Sequence, residues 1–220
     1  MKKFAIIFAC LLACTSVFAK PKYNGDLQVH TGIGLDSFTY SKLGRTADVN
    51  AVLFNLDAQS WNLIQLNDLI SVGFMVGTDF GWGGVTKATI SGLGSVNDNS
   101  CKDAFHWNII AAPAVAFSFK PVKIQCSIGF DLGLVPGIGL NLYGENLFFS
   151  FPATFGLVTE VQAKFFPDKR FSPIAGYRFC ITGSGRVKEY NRDSKISTEQ
   201  DVSTGLFSSG VFYLGASLNW

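Results

Sequence analysis

The sequence has little of what a soluble enzyme or a helical membrane protein needs. Charged residues make up only 15% of the 220 positions, and there are two histidines. Outside the N-terminus the longest apolar run is 109–117, nine residues that include Pro113. A membrane-spanning helix needs about 20, so no helical span is expected beyond the N-terminus. Outside residues 1–19 the basic and acidic side chains balance, 16 against 16 once Lys2 and Lys3 are set aside. Nucleic-acid binding needs clustered positive charge, so no nucleic-acid partner is expected. Cys101, Cys126 and Cys180 form no CxxC pair, and their odd number gives no disulfide framework. No His/Cys cluster points to a metal, and no cofactor is implied.

What is present is glycine (23), aromatics (21 Phe, 6 Tyr, 4 Trp) and a period of two. In the last ten residues Phe212, Leu214, Ala216, Leu218 and Trp220 share one parity. Val211, Tyr213, Gly215, Ser217 and Asn219 share the other. Two is the strand period. The same alternation recurs in eight segments, near 25–40, 49–61, 70–82, 104–119, 122–140, 147–165, 171–182 and 211–220. The clearest is the fifth. Val122, Ile124, Cys126, Ile128, Phe130, Leu132 and Leu134 alternate with Lys123, Gln125, Ser127, Gly129, Asp131 and Gly133. A transmembrane strand needs only about 10 residues, with every second one apolar. Connections after the first, third, fifth and seventh segments read as longer or more polar (41–48, 83–103, 143–146, 183–204), and the others as short. Pro113, Pro136 and Pro152 weaken the strands locally, because proline cannot donate to a ladder. The expected fold is all-β, an eight-stranded antiparallel up-and-down transmembrane β-barrel over residues 20–220.

Residues 1–19 read as a signal peptide: Lys2 and Lys3, the apolar core 4–12, and Val17-Phe18-Ala19 before Lys20. Leu11-Leu12-Ala13-Cys14 offers a competing reading as a lipobox, with Cys14 as the acylated residue.

Tyr213-x-Gly215-x-x-Leu218-x-Trp220 resembles the C-terminal assembly signal of bacterial outer-membrane barrels, which usually end in Phe. With the signal and the strand count, the chain resembles the small eight-stranded outer-membrane barrels of the OmpX, OmpW and OmpA-barrel kind. That resemblance implies outer-membrane lipid and the barrel-assembly machinery as partners.

A soluble lipocalin-like barrel would turn the apolar parity inward. Two features favour the membrane form. The polar parity is rich in Gly and Ser, which suits a narrow lumen. Trp61, Trp82, Trp107, Tyr177 and Trp220 near strand ends are expected to form interfacial girdles.

The polar parity then gives the lumen candidates: Asp36, Asp57, Asp79, Lys123, Asp131, Glu160, Lys164 and Arg178. Buried charges must pair. They form either a salt-bridged plug or a conduction path. His30 and His106 share that parity. Some barrels of this size are lipid A acyltransferases or deacylases with a rim His, but no Ser or acid is tied to either His by a motif. They read as structural, and the chain as a non-enzyme. Two functions remain in view. One is a small pore or carrier for a hydrophobic or small polar solute, favoured by the glycines of strands three and five. The other is a structural or host-contact surface protein with a closed lumen, favoured by the charged segment 183–204.

Overall fold

The computed structural model describes residues 22–42, 45–90, 94–95, 101–140, 146–150, 154–191 and 196–220. The expectations for residues 1–19, including Cys14, lie outside them. Eight wall strands follow in order: β1 (Lys22–Lys42), β2 (Arg45–Gln65), β3 (Ile70–Ile90), β4 (Cys101–Phe119) and β5 (Val122–Leu140). Then come β6, in two pieces (Asn146–Ser150 and Thr154–Phe165), β7 (Phe171–Asn191) and β8 (Ile196–Asn219). A two-residue strand, Gly94–Ser95, pairs with the end of β3.

Every neighbour pair is antiparallel, and β8 closes the sheet onto β1 from Asp26↔Asn219 to Ser41↔Thr204. Closure matters because an open edge would leave a row of unpaired N–H and C=O groups, which lipid cannot satisfy. The ladder is bulged at Asn50/Ala51 and Asp201/Gly205, and twice between β4 and β5. Near Pro113 the β4–β5 pairing passes from Ala111↔Phe130 to Ala114↔Ser127, as a residue without a backbone donor requires.

The two faces separate by parity. Ile33, Phe54, Phe74, Trp82, Ile128, Phe155, Phe212 and Leu214 are exposed on the outside, Ile128 by 63%. Aromatic pairs knit this surface: Tyr177 against its register partner Phe212 at 4.6 Å, and Phe130 against Phe155 at 5.2 Å. The opposite parity is buried and mostly polar.

The end carrying the β2–β3, β4–β5 and β6–β7 turns is tied together closely. Asn67 Oδ1 accepts from the backbone N–H groups of Leu69 and Ile70, an Asx turn. Phe166 holds a left-handed φ of 53°, and its N–H donates to Pro121 O at 2.8 Å. Asn219 Nδ2 donates to Ser172 Oγ at 2.9 Å and to the carbonyls of Pro167 and Lys169, pinning the β6–β7 turn to the closing strand.

Two expectations change. The strands run further than the alternation shows. β1 and β2 pair through Lys42↔Arg45, so the ladder enters the expected connection 41–48. Likewise β3 extends to Ile90, and β7 and β8 pair across most of 183–204. Where a wall is wet on both sides, pairing persists without an apolar face, and the period-two signal disappears. Trp61 is also not a girdle residue. It lies on the parity of Asn55, Asp57 and Gln59, is 0% exposed, and packs inside with Leu63, Met75, Ile110 and Ala112.

Candidate functional site in the lumen

The inward side chains stack in layers along the barrel. Nearest the loop end is an apolar layer of Phe38, Val49, Ala51, Leu53, Ala104 and Phe207. Each sits on the inward parity although it is apolar, so alternation alone hides it. Beneath it, His106 bridges two acids, Nδ1 at 2.7 Å from Asp36 Oδ2 and Nε2 at 3.1 Å from Asp79 Oδ2. Asn55 Nδ2 donates to Asp79 Oδ1 at 3.0 Å. The Phe207 and His106 rings meet in an edge-to-face arrangement with their centroids 5.8 Å apart, joining the two layers.

Arg178 lies at the centre. Its Nη2 is 2.7 Å from Asp57 Oδ2 and 3.3 Å from Asp79 Oδ2, and its Nη1 is 3.7 Å from Glu160 Oε2. The register explains the convergence. Arg178 faces Glu160 on the neighbouring strand, while Asp57 faces Asp79 on β2 and β3 across the lumen. None of these four side chains is exposed. Asp131 is also fully buried, against the Cys180 thiol.

Tyr213 fills the space beside Arg178. Its hydroxyl donates to Glu160 Oε1 at 2.7 Å and to Gln162 Oε1 at 3.2 Å, and its ring stacks flat on His30 at 4.4 Å. Gly176, its register partner, makes this fit possible, since a Cβ there would overlap the phenol. Gln59 Nε2 donates to Glu160 Oε2 at 2.9 Å, and Trp61 Nε1 donates to Gln59 Oε1 at 3.0 Å.

Below comes a belt of neutral amides. Gln162 Nε2 donates to Gln28 Oε1 at 2.9 Å and to Gln125 Oε1 at 3.0 Å. Gln28 Nε2 reaches Gln125 Oε1 at 3.3 Å and Asp26 Oδ1 at 3.0 Å. Asp26 in turn pairs with Lys164, beside Lys123.

The structure therefore brings Asp36, Asp57, Asp79, Glu160 and Arg178 together with His106. It places Asp131 beside them, and Lys123 and Lys164 at the far end. Tyr213 points inward, Gly215 pairs with His30 and Ile174, Leu218 pairs with Leu27, and Trp220 is exposed on the seam. Sequence reasoning missed the amide belt and the lumen role of Tyr213. Their inward parity was the available signal.

Gly77 and Gly81 of β3 and Gly129 of β5 do not line empty space. A Cβ on Gly77 would lie 2.7 Å from Gln59 Cγ, one on Gly81 2.6 Å from His106 Cε1, and one on Gly129 within the Ala112 backbone. Neighbouring side chains fill the volume that the glycines leave. Among the described residues, no hydroxyl or thiol nucleophile bonds to either histidine. Nor does any group of three or more His, Cys, Asp or Glu side chains there form a metal cage.

The fold has well-defined relatives. It is similar to the outer-membrane protease OmpT from Escherichia coli, over 92% of this chain and 99% of that one, with a TM-score of 0.53 at 8% identity. It is similar to OprG from Pseudomonas aeruginosa, over 89% of this chain and 96% of that one, with a TM-score of 0.50 at 10% identity. Neisserial surface protein A aligns over 87% and 96%, with a TM-score of 0.47 at 16% identity. The chain is a small eight-stranded outer-membrane-type β-barrel by fold. At these identities the likeness is one of fold alone. No protein-family model matches the sequence, and no curated protein matches it.

Proposed function

We propose that this chain is an integral outer-membrane barrel with a closed lumen, acting as a structural or surface-contact protein through the end that carries its long connections. The observation that carries this reading is Arg178, unexposed and held among Asp57, Asp79 and Glu160 at the middle of the lumen. A solute path would have to break these ion pairs, and burying any one partner alone is costly. The apolar outer face supports lipid as its surroundings, with the short turns facing the periplasm. The expected signal peptide and the terminal Tyr213, Gly215, Leu218 and Trp220 fit delivery to the barrel-assembly machinery. A host surface molecule is the partner class that this reading implies.

A pore or carrier for a hydrophobic or small polar solute is the second reading. A recess of about 470 Å³ at the short-turn end favours it, because a solute could enter the barrel from that end without displacing any ion pair of the Arg178 layer. Conductance of the purified barrel in planar bilayers separates the two. A closed plug gives no steady current. Steady single-channel openings from the unmodified protein would establish the pore and remove the closed-lumen reading.

A further inference from the structure

The short-turn end of the barrel does not close flush. The recess there is bounded by the first residues of β1, β3 and β5, the last residues of β2, β4, β6 and β8, and the turns between them. Its volume lies within the range of small-molecule pockets. Four lysines line it, Lys22, Lys120, Lys123 and Lys164, against Asp26, Asp68 and Asp168.

The floor is where the charges fail to balance. Both carboxylate oxygens of Asp26 are engaged, Oδ2 with Lys164 and Oδ1 with Gln28 Nε2 at 3.0 Å. Lys123 stands directly opposite Lys164 in the β5–β6 register. It is only 7% exposed, and among the described residues it has neither a hydrogen-bond acceptor nor an ion-pair partner. Like charges directly opposite each other across a strand pair repel. An ammonium with so little water around it, facing the recess without an acceptor of its own, is costly. One anion seated between the two lysines would relieve both penalties, and the Ser71 and Ser118 hydroxyls line the same space as donors. A cation would find the one floor carboxylate already taken.

We propose that this recess binds a small anion bearing a phosphate or carboxylate group, with Lys123 as its direct ion-pair partner and Lys164 as a shared second cation. The ligand enters from the short-turn side. It does not need the Arg178 plug to open, so this inference stands apart from the question of conduction.

The test is an NMR titration of the full refolded barrel in zwitterionic detergent, with inorganic phosphate and separately with succinate, against sodium chloride at matched ionic strength. The expected result is a saturable shift confined to residues around Lys123, Lys164, Ser71 and Ser118. Lys123→Met should weaken it at least tenfold, Lys123→Arg should keep it, and Lys120→Met at the rim should change it less. Repeating the phosphate titration in nanodiscs identifies the source. Competition in phosphatidylglycerol but not in phosphatidylcholine means a lipid headgroup; equal binding in both means a free anion. Either outcome upholds the site. A wild-type response no different from chloride would overturn it. So would unchanged binding by a correctly folded Lys123→Met barrel. If Lys123→Met does not refold, Lys123→Gln and the wild-type titration decide.

Discussion

The Arg178 layer and the amide belt beneath it occupy the same lumen, a few residues apart along the same strands, yet they hold together differently. In the upper layer one guanidinium serves Asp57, Asp79 and Glu160. In the lower layer three neutral amides, Gln28, Gln125 and Gln162, bond to one another in a ring of shared partners. The charged layer has a single keystone, and the neutral layer has none. Fragility should therefore concentrate at Arg178 and be spread thinly below it. A folded barrel without Arg178 would also be the natural candidate for a leak.

Removing the keystone should have the largest effect. Arg178→Met keeps the stem and deletes the fork, stranding the buried carboxylate of Asp57, while Asp79 keeps His106 and Asn55 and Glu160 keeps Gln59 and Tyr213. His30 Nδ1, the other basic group near Asp57, stands 3.9 Å away, too far to hydrogen-bond. Breaking a buried pair by losing one partner costs about 3–5 kcal/mol. Urea unfolding of the barrel in lipid vesicles should show that loss. Adding Asp57→Asn should recover part of it. Arg178→Lys should not substitute, since a point charge cannot reproduce the fork. A loss below about 1 kcal/mol would mean that the layer is not organised around Arg178.

The outer face gives the next effect. Ile128→Arg puts a charge on the apolar outside, at a cost of about 2–4 kcal/mol near the bilayer midplane. Ser127→Arg, one residue away, points inward opposite Glu160 and should cost less. The order is checked by the same unfolding measurement. A soluble barrel with its apolar parity inside would make position 127 indifferent. Single cysteines at 127 and 128, with the native cysteines replaced, extend the test. A fluorophore at 128 and not at 127 should be quenched from the lipid phase.

How much of this was legible follows from where the period of two survives. It survives along β5, where Val122 through Phe130 alternate with Lys123 through Asp131, and there the strand, its bounds and its facing could all be read. It fails near the loop end, where β7 and β8 continue as polar ladders with no apolar face to mark them. It also misleads where an inward position is apolar. Trp61 looks like a girdle residue by type and is a lumen residue by parity, with its indole N–H donating to Gln59. The charged residues of the lumen could be named one by one. Their partners could not, because Asp57 and Arg178 meet across the barrel and no sequence spacing encodes that distance. The amides were passed over because a neutral side chain raises no question about its counter-charge, although Gln28 and Gln125 carry as many bonds as their charged neighbours.

Tyr213 sharpens the comparison, because it joins the two layers. Tyr213→Phe keeps the ring stacked on His30 and keeps an aromatic residue in the terminal motif, so delivery to the membrane should not change. It removes the hydroxyl that donates to Glu160 and Gln162. A hydrogen bond to a charged group contributes about 1.5–3 kcal/mol. The loss should lie toward the lower value, because Gln59 still donates to the Glu160 carboxylate. Normal surface yield with reduced stability is the expected pattern. Reduced yield with normal stability would mean that the hydroxyl acts in assembly and not in the lumen.

The smallest effect should come from the belt itself. Gln162→Leu removes three hydrogen bonds at once, a number exceeded in the belt by Gln28 alone. Counted bond by bond, it should be severe. Each partner, however, keeps a second bond. Gln28 Oε1 remains 3.0 Å from His30 Nε2, Gln125 Oε1 still accepts from Gln28 at 3.3 Å, and Tyr213 still donates to Glu160 at 2.7 Å. No buried group is orphaned, and leucine nearly matches the volume removed. The cost should then be the net worth of a typical hydrogen bond, about 0.5–1.5 kcal/mol, and not the larger penalty of an unsatisfied buried group. Urea midpoints for Gln162→Leu and Arg178→Met, measured side by side, put the two layers on one scale. If Gln162→Leu proved as damaging as Arg178→Met, the belt would have a keystone after all, and shared partners would not be what makes it tolerant.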